Sequence, residues 1–554
     1  MSGLADVVLV GLGAGCAIAA DVLTAAGLEV VAFEAGPRLD ASMMTLDEIR
    51  NDVREWMTQP KAAHEVPTWR SREDELAGPS PFPMRMVNAV GGTTLHYPGL
   101  SARFMPWVFA ARSRTIDRYG RDAIPGDATL VDWPVSYDEL EPWYDRVEHL
   151  IGVAGEPSNP FEGTRVRSYP LPPLRRTGWT ELMADAARSL GWHPYPAPAA
   201  INSVPHHGQP ACTYCGFCTA NGCHVRAKGT ADVTSIPRAE ATGRLRIEAG
   251  ARVERIESGA DGRVTGVWWS RDGARSFQAA RVVLVGTFTY ENTRLLLLSK
   301  SPAHPRGLGN DRDQVGRHYT AHVTPFVYGR FPGRRLNLYS GPWAQATCVD
   351  DWNANNFDHE GLGFIGGGLF TAAHELKPIA AALAPLPPGV PRWGSGYKDW
   401  IASNGQSVGS VGAQFESLTY AHNRLDLDPH VRDPSGTPVV RVTYRPGENE
   451  RRGHAFLRAR LHEWLTAADA DLTWGPDTIA LDGRHSYGGT RMGEDPANSV
   501  VDRWGFAHDA PNLGLLGSST FPASGGHNPT LTVQALAWRT AQHLLDEWEF
   551  IGHQ

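Results

Sequence analysis

No stretch of this 554-residue chain runs 18 apolar residues without interruption, so no membrane-spanning helix is expected. Positive charge is not in excess either: 52 Lys and Arg face 60 Asp and Glu, a net charge of −8. That balance gives no electrostatic reason to expect nucleic acid, and it leaves a small uncharged or cationic substrate open. The N-terminus, Met1-Ser2-Gly3-Leu4-Ala5-Asp6, has no basic region and no twin arginine. No cleavable signal is therefore expected, and the cytoplasm is the expected location, with export on a folded, signal-bearing partner as the alternative. Charged residues make up only 20% and apolar residues 42%, a globular balance with material for two to four domains. Cysteine is scarce, six in all, and unevenly spread: Cys16 and Cys348 stand alone, while Cys212, Cys215, Cys218 and Cys223 fall close together.

What is present begins with a β-α-β pattern. Asp6 to Val10 reads as an apolar strand, Ala14 to Ala26 as an Ala-rich helix, and Glu29 to Glu34 as a second strand. Further strands are expected at Leu245–Ile247, Val253–Glu257, Val264–Trp269, Arg281–Val285 and Asn512–Leu516, and a helix at Thr530–Leu544. The Pro-, Trp- and Gly-rich stretches 46–85, 120–210 and 320–480 carry no such rhythm, and Ala381–Pro391 reads as a loop. The expected fold class is α/β with an α+β second domain: a discontinuous Rossmann-type nucleotide-binding domain with an inserted domain. The boundaries are 1–45, 86–110, 225–318 and 482–554 for the first, and 46–85, 111–224 and 319–481 for the second.

The turn after the first strand reads Gly11-Leu12-Gly13-Ala14-Gly15-Cys16. Gly11 permits the tight turn, and Gly13 lets the backbone approach a pyrophosphate on the helix N-terminus. Glu34 is placed to accept hydrogen bonds from an adenosine ribose. Cys16 replaces the third glycine of the usual motif, and the motif alone does not separate FAD from NAD. An ordinary tight turn is the competing reading.

Other segments carry a resemblance. Val90-Gly91-Gly92-Thr93-Thr94-Leu95-His96 resembles the Gly-Gly loop that covers the flavin in the glucose–methanol–choline (GMC) oxidoreductases. Glu291, Arg294 and Leu295–Ser299, following Gly286, resemble the strand-to-helix turn beneath the cofactor. His485-x-x-Gly488-Gly489-x-x-Met492-Gly493 and Asn528-Pro529-Thr530 resemble the two active-site motifs. Asp132-Trp133-Pro134, Asn356-Phe357-Asp358-His359 and Pro391-Arg392-Trp393-Gly394 look like the subgroup containing the flavoprotein subunits of gluconate and fructose dehydrogenases. The resemblance runs from about residue 6 to 545 in the family's order. It implies FAD, an FAD domain, and a substrate domain whose mostly antiparallel sheet roofs the flavin. Gly11, Gly13, Gly15, Glu34, Gly91, Gly92, Thr94, His96, Val253, Glu291, Asn528, Pro529 and Thr530 are the implied cofactor contacts. In some relatives a histidine spaced like His96 is covalently attached to the flavin; the other reading is a histidine lining the flavin edge.

Alcohol oxidation by a flavin moves a hydride from carbon while a base takes the hydroxyl proton, and a neutral imidazole suits that role. His485 fits the base within a glycine-bracketed turn, and Asn528 matches the partner position. Asn528 could instead serve only as a helix cap ahead of Pro529, though the two roles are compatible. His527 is the neighbouring candidate, disfavoured by register.

Cys212-x2-Cys215-x2-Cys218-x4-Cys223 has the spacing of thiolates that wrap an iron–sulfur cube, with a last gap of four and no following proline. Zinc and two disulfides are the alternatives. The resemblance favours a 3Fe-4S centre and leaves 4Fe-4S open. Such a centre points to a dehydrogenase that hands electrons to a cytochrome or small subunit, and the resemblance implies FAD-dependent oxidation of a sugar, sugar acid or polyol. The alternatives are an oxidase of glycosides, including sugar-decorated natural products, and a lyase with structural FAD.

Overall fold

A computed structural model describes residues 3–58, 66–80, 85–479 and 481–552. The first strand, Ala5–Val10, is apolar and almost wholly buried because it lies in the middle of a sheet covered on both faces. It pairs in parallel with Val30–Glu34 on one side and with Ala274–Val285 on the other. Leu245–Ala249 extends the sheet in parallel beyond Val30–Glu34, and Ala510–Leu515 does so beyond Ala274–Val285. The helix Ala14–Ala25 returns the chain between the first two strands and packs beside the last long helix, Thr530–Asp546. This is the β-α-β unit expected from the sequence.

Ala274–Val285 is longer than expected because its two halves serve different partners. Its first half pairs antiparallel with Val264–Arg271, which in turn pairs with Arg252–Ser258, and its second half enters the parallel sheet. The sequence pattern reveals only the buried half, where both faces are covered. A second sheet is antiparallel in every recorded pairing, in the order Leu472–Trp474, Phe326–Arg330, Val408–Phe415, Gly368–Ala372, Thr347–Val349, Pro194–Pro196. Its aromatic core includes Trp179, Phe370, Phe415 and Trp464. Thr320–Val323 joins this sheet and pairs with Leu481–Tyr487. The fold is therefore mixed α/β with a parallel and an antiparallel sheet, as expected.

Two local expectations change. The Pro-rich segment begins inside a short helix, Pro378–Leu383, where proline at the first turn loses no hydrogen bond. His485 lies on a strand, not in a turn. Among the described residues no helix is long and apolar enough to cross a membrane.

Candidate active site

The first glycine turn is built by close approach. Gly11 has φ +83°, and a Cβ there would lie 2.9 Å from the Gly286 carbonyl. Gly92, at φ +55°, would put a Cβ 2.8 Å from the Gly13 Cα, so the Gly-Gly loop rests glycine on glycine against the turn. Gly15 lets the first helix approach Leu516 and the last long helix. Cys16 is fully buried, and burial, followed by the Glu34 charge, pushes its thiol far up; it packs as an apolar group. Glu34 accepts from the backbone N–H of Leu12 at 3.1 Å and of Gly36 at 2.9 Å, clamping the turn.

A single cavity takes in Gly11, Gly13, Gly15, Glu34, Gly92, Thr94, Val253 and Glu291, and also Pro529 and Thr530. Two helix N-termini open onto it without a side-chain cap: the first helix, behind Gly13, and the last long helix, behind Pro529. Uncapped N-terminal N–H groups attract negative charge, so the cavity suits a ligand with a pyrophosphate and a second electron-rich end. The residues thus fit an FAD. Phe288 also lines it at φ +82°, a costly conformation for a bulky residue that the sequence does not signal.

Not every expected contact faces this cavity. Gly91 supports the loop from behind, accepting the Thr94 hydroxyl at 2.6 Å. His96 is buried beside the cavity, and its Nε2 has no hydrogen-bond partner. Burial, with the Lys228 and Arg484 charges, lowers its pKa to about 3 and keeps the ring neutral.

His485 is delivered by a bulge. Thr320 and Ala321 pair with Tyr487 and Ser486, but His322 pairs with Asp482, so Gly483, Arg484 and His485 bulge out of register. Bulges re-aim side chains beside functional sites. The Ser486 carbonyl, accepting from the Thr289 and Ser518 hydroxyls at 2.8 and 2.7 Å, pins the bulge to the neighbouring segments. His485 Nε2 then lies 3.2 Å from Asn528 Nδ2. On its other side, Nδ1 lies 3.1 Å from Nδ1 of the fully buried His322. His322 was not anticipated, because only strand pairing brings it to His485.

His527 turns the other way. Its Nε2 meets the Asp350 carboxylate at 3.1 and 3.2 Å, and Asp350 also accepts from Tyr195 Oη at 2.5 Å and from Asn353 and Asn159 Nδ2 at 2.8 Å. Burial opposes charge on both partners, but their pairing outweighs it: His527 is raised and Asp350 lowered.

The cysteine loop is held by buried charge. Glu375 accepts from the Thr219 N–H at 2.8 Å and Oγ1 at 3.0 Å, and Lys377 meets Glu375 at 3.0 Å and the Gly216 carbonyl at 3.2 Å. Lys228, buried, donates to the carbonyls of Tyr97, Cys218 and Asn221 at 2.9, 2.9 and 3.1 Å, linking the loop to the segment around His96. Cys212 and Cys223 sulfurs accept backbone N–H groups at 3.3 Å. Burial pushes the Cys212 thiol up to about 11 and raises Cys215 and Cys218 as well. The four thiols lie near enough to act on one another, Cys215 and Cys223 on Cys212 and Cys212 and Cys223 on Cys218, although among the described residues no group of three or more His, Cys, Asp or Glu is arranged around a single metal ion.

Comparison with known proteins follows the same lines. The GMC oxidoreductase family matches residues 131–324 and 419–537. The chain is 31% identical to the gluconate 2-dehydrogenase flavoprotein of Pantoea cypripedii, covering 98% of this chain and 94% of that one. It is 30% identical to the paromamine 6'-oxidase of Streptomyces fradiae, covering 97% and 90%. The solved structure of pyridoxine 4-oxidase from Mesorbium loti superposes with a TM-score of 0.63 at 16% identity, covering 98% and 99%. The chain belongs to the GMC oxidoreductases and is an oxidoreductase of that FAD-binding family.

Proposed function

We propose that this enzyme is an FAD-dependent dehydrogenase that oxidises a hydroxyl of a sugar, sugar acid or polyol. The 3.2 Å contact between His485 Nε2 and Asn528 Nδ2, beside a cavity that fits FAD, carries the reading. When bound, FAD supplies the two-electron acceptor that takes the hydride from carbon. His485 Nε2 takes the hydroxyl proton, while the Asn528 amide holds the alcohol oxygen so that the C–H bond is aimed consistently. Asn528 Oδ1 is buried without a partner, which suits an acceptor kept for substrate. The uncapped N-terminus of the last long helix favours negative charge at that end of the cavity. Gly13, Glu34, Gly92, Thr94, Val253, Glu291, Pro529 and Thr530 would hold the cofactor.

The similarity to a gluconate dehydrogenase flavoprotein supports a sugar-acid or polyol substrate and an external electron acceptor, a cytochrome or a small subunit. The similarity to a paromamine oxidase supports a second reading, a glycoside oxidase that reduces oxygen to peroxide. Covalent attachment of the flavin through His96, which is buried beside the cavity with an unpartnered Nε2, is the second reading of that residue. In that case the yellow colour stays with acid-precipitated protein, and colour released to the supernatant contradicts it. The iron–sulfur centre expected at Cys212, Cys215, Cys218 and Cys223 would be held by these neighbouring thiols, and no electron step is routed through it. Iron and acid-labile sulfide in step with flavin would support it, and their absence would remove it.

The functional test is anaerobic. Gluconate, hexoses, polyols and aminoglycosides are mixed in turn with the purified protein, and at least one sugar or polyol is expected to bleach the flavin. Bleaching by none of them contradicts the proposal. Slow recovery of colour on readmitting oxygen supports the dehydrogenase, and prompt recovery with peroxide supports the oxidase.

A further inference from the structure

We propose that His322 is a positioning residue that fixes the tautomer of His485, placing the His485 proton on Nδ1 and leaving Nε2 as the bare nitrogen beside Asn528. The inference deepens the reading of His485 as the base and rests on it for its catalytic meaning. The direction of these hydrogen bonds is set at one end by an atom that can only accept. The Gly525 carbonyl lies 2.8 Å from His322 Nε2, so that nitrogen carries a proton and donates it. The Tyr487 hydroxyl oxygen, 3.0 Å from the same nitrogen, shares the same donor.

A neutral ring with its proton on Nε2 has a lone pair on Nδ1. His322 Nδ1 therefore accepts, and its partner at 3.1 Å, His485 Nδ1, donates. The two rings stand at 89° to each other, an arrangement in which an N–H of one can point along the lone pair of the other. His485 Nε2 is then left as an acceptor, and the atom facing it at 3.2 Å is the Asn528 amide nitrogen, a donor. With both rings neutral and the Asn528 amide nitrogen facing Nε2, these bonds run consistently from Gly525 to Asn528. Reversing them at the histidine pair would set an N–H of His485 against an N–H of Asn528. Which ring nitrogen carries the proton is settled by the bond made at the other, and here that control comes from His322.

The same bulge that throws His485 forward makes this possible. Ala321 and His322 are the residues between which the register with Leu481–Tyr487 shifts, so His322 faces the projecting histidine. His322 is fully buried and is held at its far nitrogen by the loop that carries Asn528. The acceptor for His485 and the loop bearing its partner are therefore one unit.

Two variants separate the roles of the two nitrogens. In His322→Asn the amide oxygen replaces Nδ1 and keeps an acceptor for His485. In His322→Gln the amide nitrogen replaces Nε2 and keeps the bond to Gly525, but the acceptor is lost. The first readout is ¹⁵N NMR of histidine-labelled protein, with the His485 signals identified by their loss in His485→Ala. Wild-type protein and His322→Asn are expected to show a protonated Nδ1 and a bare Nε2 on residue 485, and His322→Gln the opposite tautomer. The second readout is the limiting rate of anaerobic flavin reduction, which should fall at least ~10-fold in His322→Gln and recover in His322→Asn at similar KM and flavin content. A proton on Nε2 of His485 in the wild-type protein overturns the inference whatever the activity. The stated tautomer together with a normal reduction rate in His485→Ala would sustain it and bring down the base assignment instead.

Discussion

Asp350 and His527 are a charged pair with almost no contact with water, one residue away from Asn528. A buried pair stabilises only while both members are charged, since breaking it strands an ion away from solvent. The raised His527 contributes stability that is complete below the ordinary histidine pKa of about 6.5 and is lost as pH rises through its higher folded value. The lowered Asp350 contributes stability that is complete above about 3.9 and is lost as pH falls through its lower folded value. The pair therefore holds in full between roughly pH 4 and 6.5. Asp350→Asn is expected to cost ~3–5 kcal/mol at pH 6, read from denaturant midpoints. An unchanged midpoint would show that the network around Tyr195 and Asn353 is self-sufficient. Glu416 behaves oppositely. Burial raises its pKa to about 7, and Oε2 has no hydrogen-bond partner, so stability falls as pH rises from the ordinary glutamate value of about 4.3 to about 7 and stays reduced above it. Glu416→Gln should raise the melting temperature more at pH 8 than at pH 5, by up to ~3 kcal/mol of stability. Equal effects at both pH values would contradict the assigned cause.

At the scale of elements, the crossing between the first helix and the strand Ala274–Val285 depends on a small residue being available on one side. Cys16 occupies the position where nucleotide-binding turns usually carry glycine, and the compensation lies at Gly286, whose added Cβ would fall 2.6 Å from the Cys16 sulfur. Gly286→Ala is expected to destabilise by ~1–3 kcal/mol, and Cys16→Gly in the same chain should restore most of the loss. Additive losses in the double variant would refute the coupling. Local signals such as these are legible in sequence: the turn, the helix that follows and Glu34 are set by residues near one another in the chain. The bulge is not. Nothing in Leu481–Tyr487 alone says that Gly483, Arg484 and His485 will lose their partners, because the shift arises from pairing with Thr320–Val323. His322 escaped notice for that reason, and the turn expected around His485 became a strand. His527 and Asn528 are neighbours in sequence and face different networks, a distinction fixed by Asp350 far away in the chain.

For the whole molecule, the order of motifs along the chain indicated the family and its fold better than any single motif did. The antiparallel sheet itself was legible only through that resemblance, since its strands are short and separated by long irregular segments. The cysteine spacing was legible, but the buried Glu375, Lys377 and Lys228 that hold its loop were not, because they come from distant parts of the chain. The central claim is that the bulged strand and the head of the last long helix bring His485 and Asn528 together at one end of a flavin cavity to remove a hydroxyl proton. The most direct measurement is the anaerobic rate of flavin reduction, by a sugar or polyol that bleaches the wild-type protein, in His485→Ala. The account predicts normal flavin content and a rate lower by at least ~100-fold; flavin reduced at the wild-type rate would contradict it.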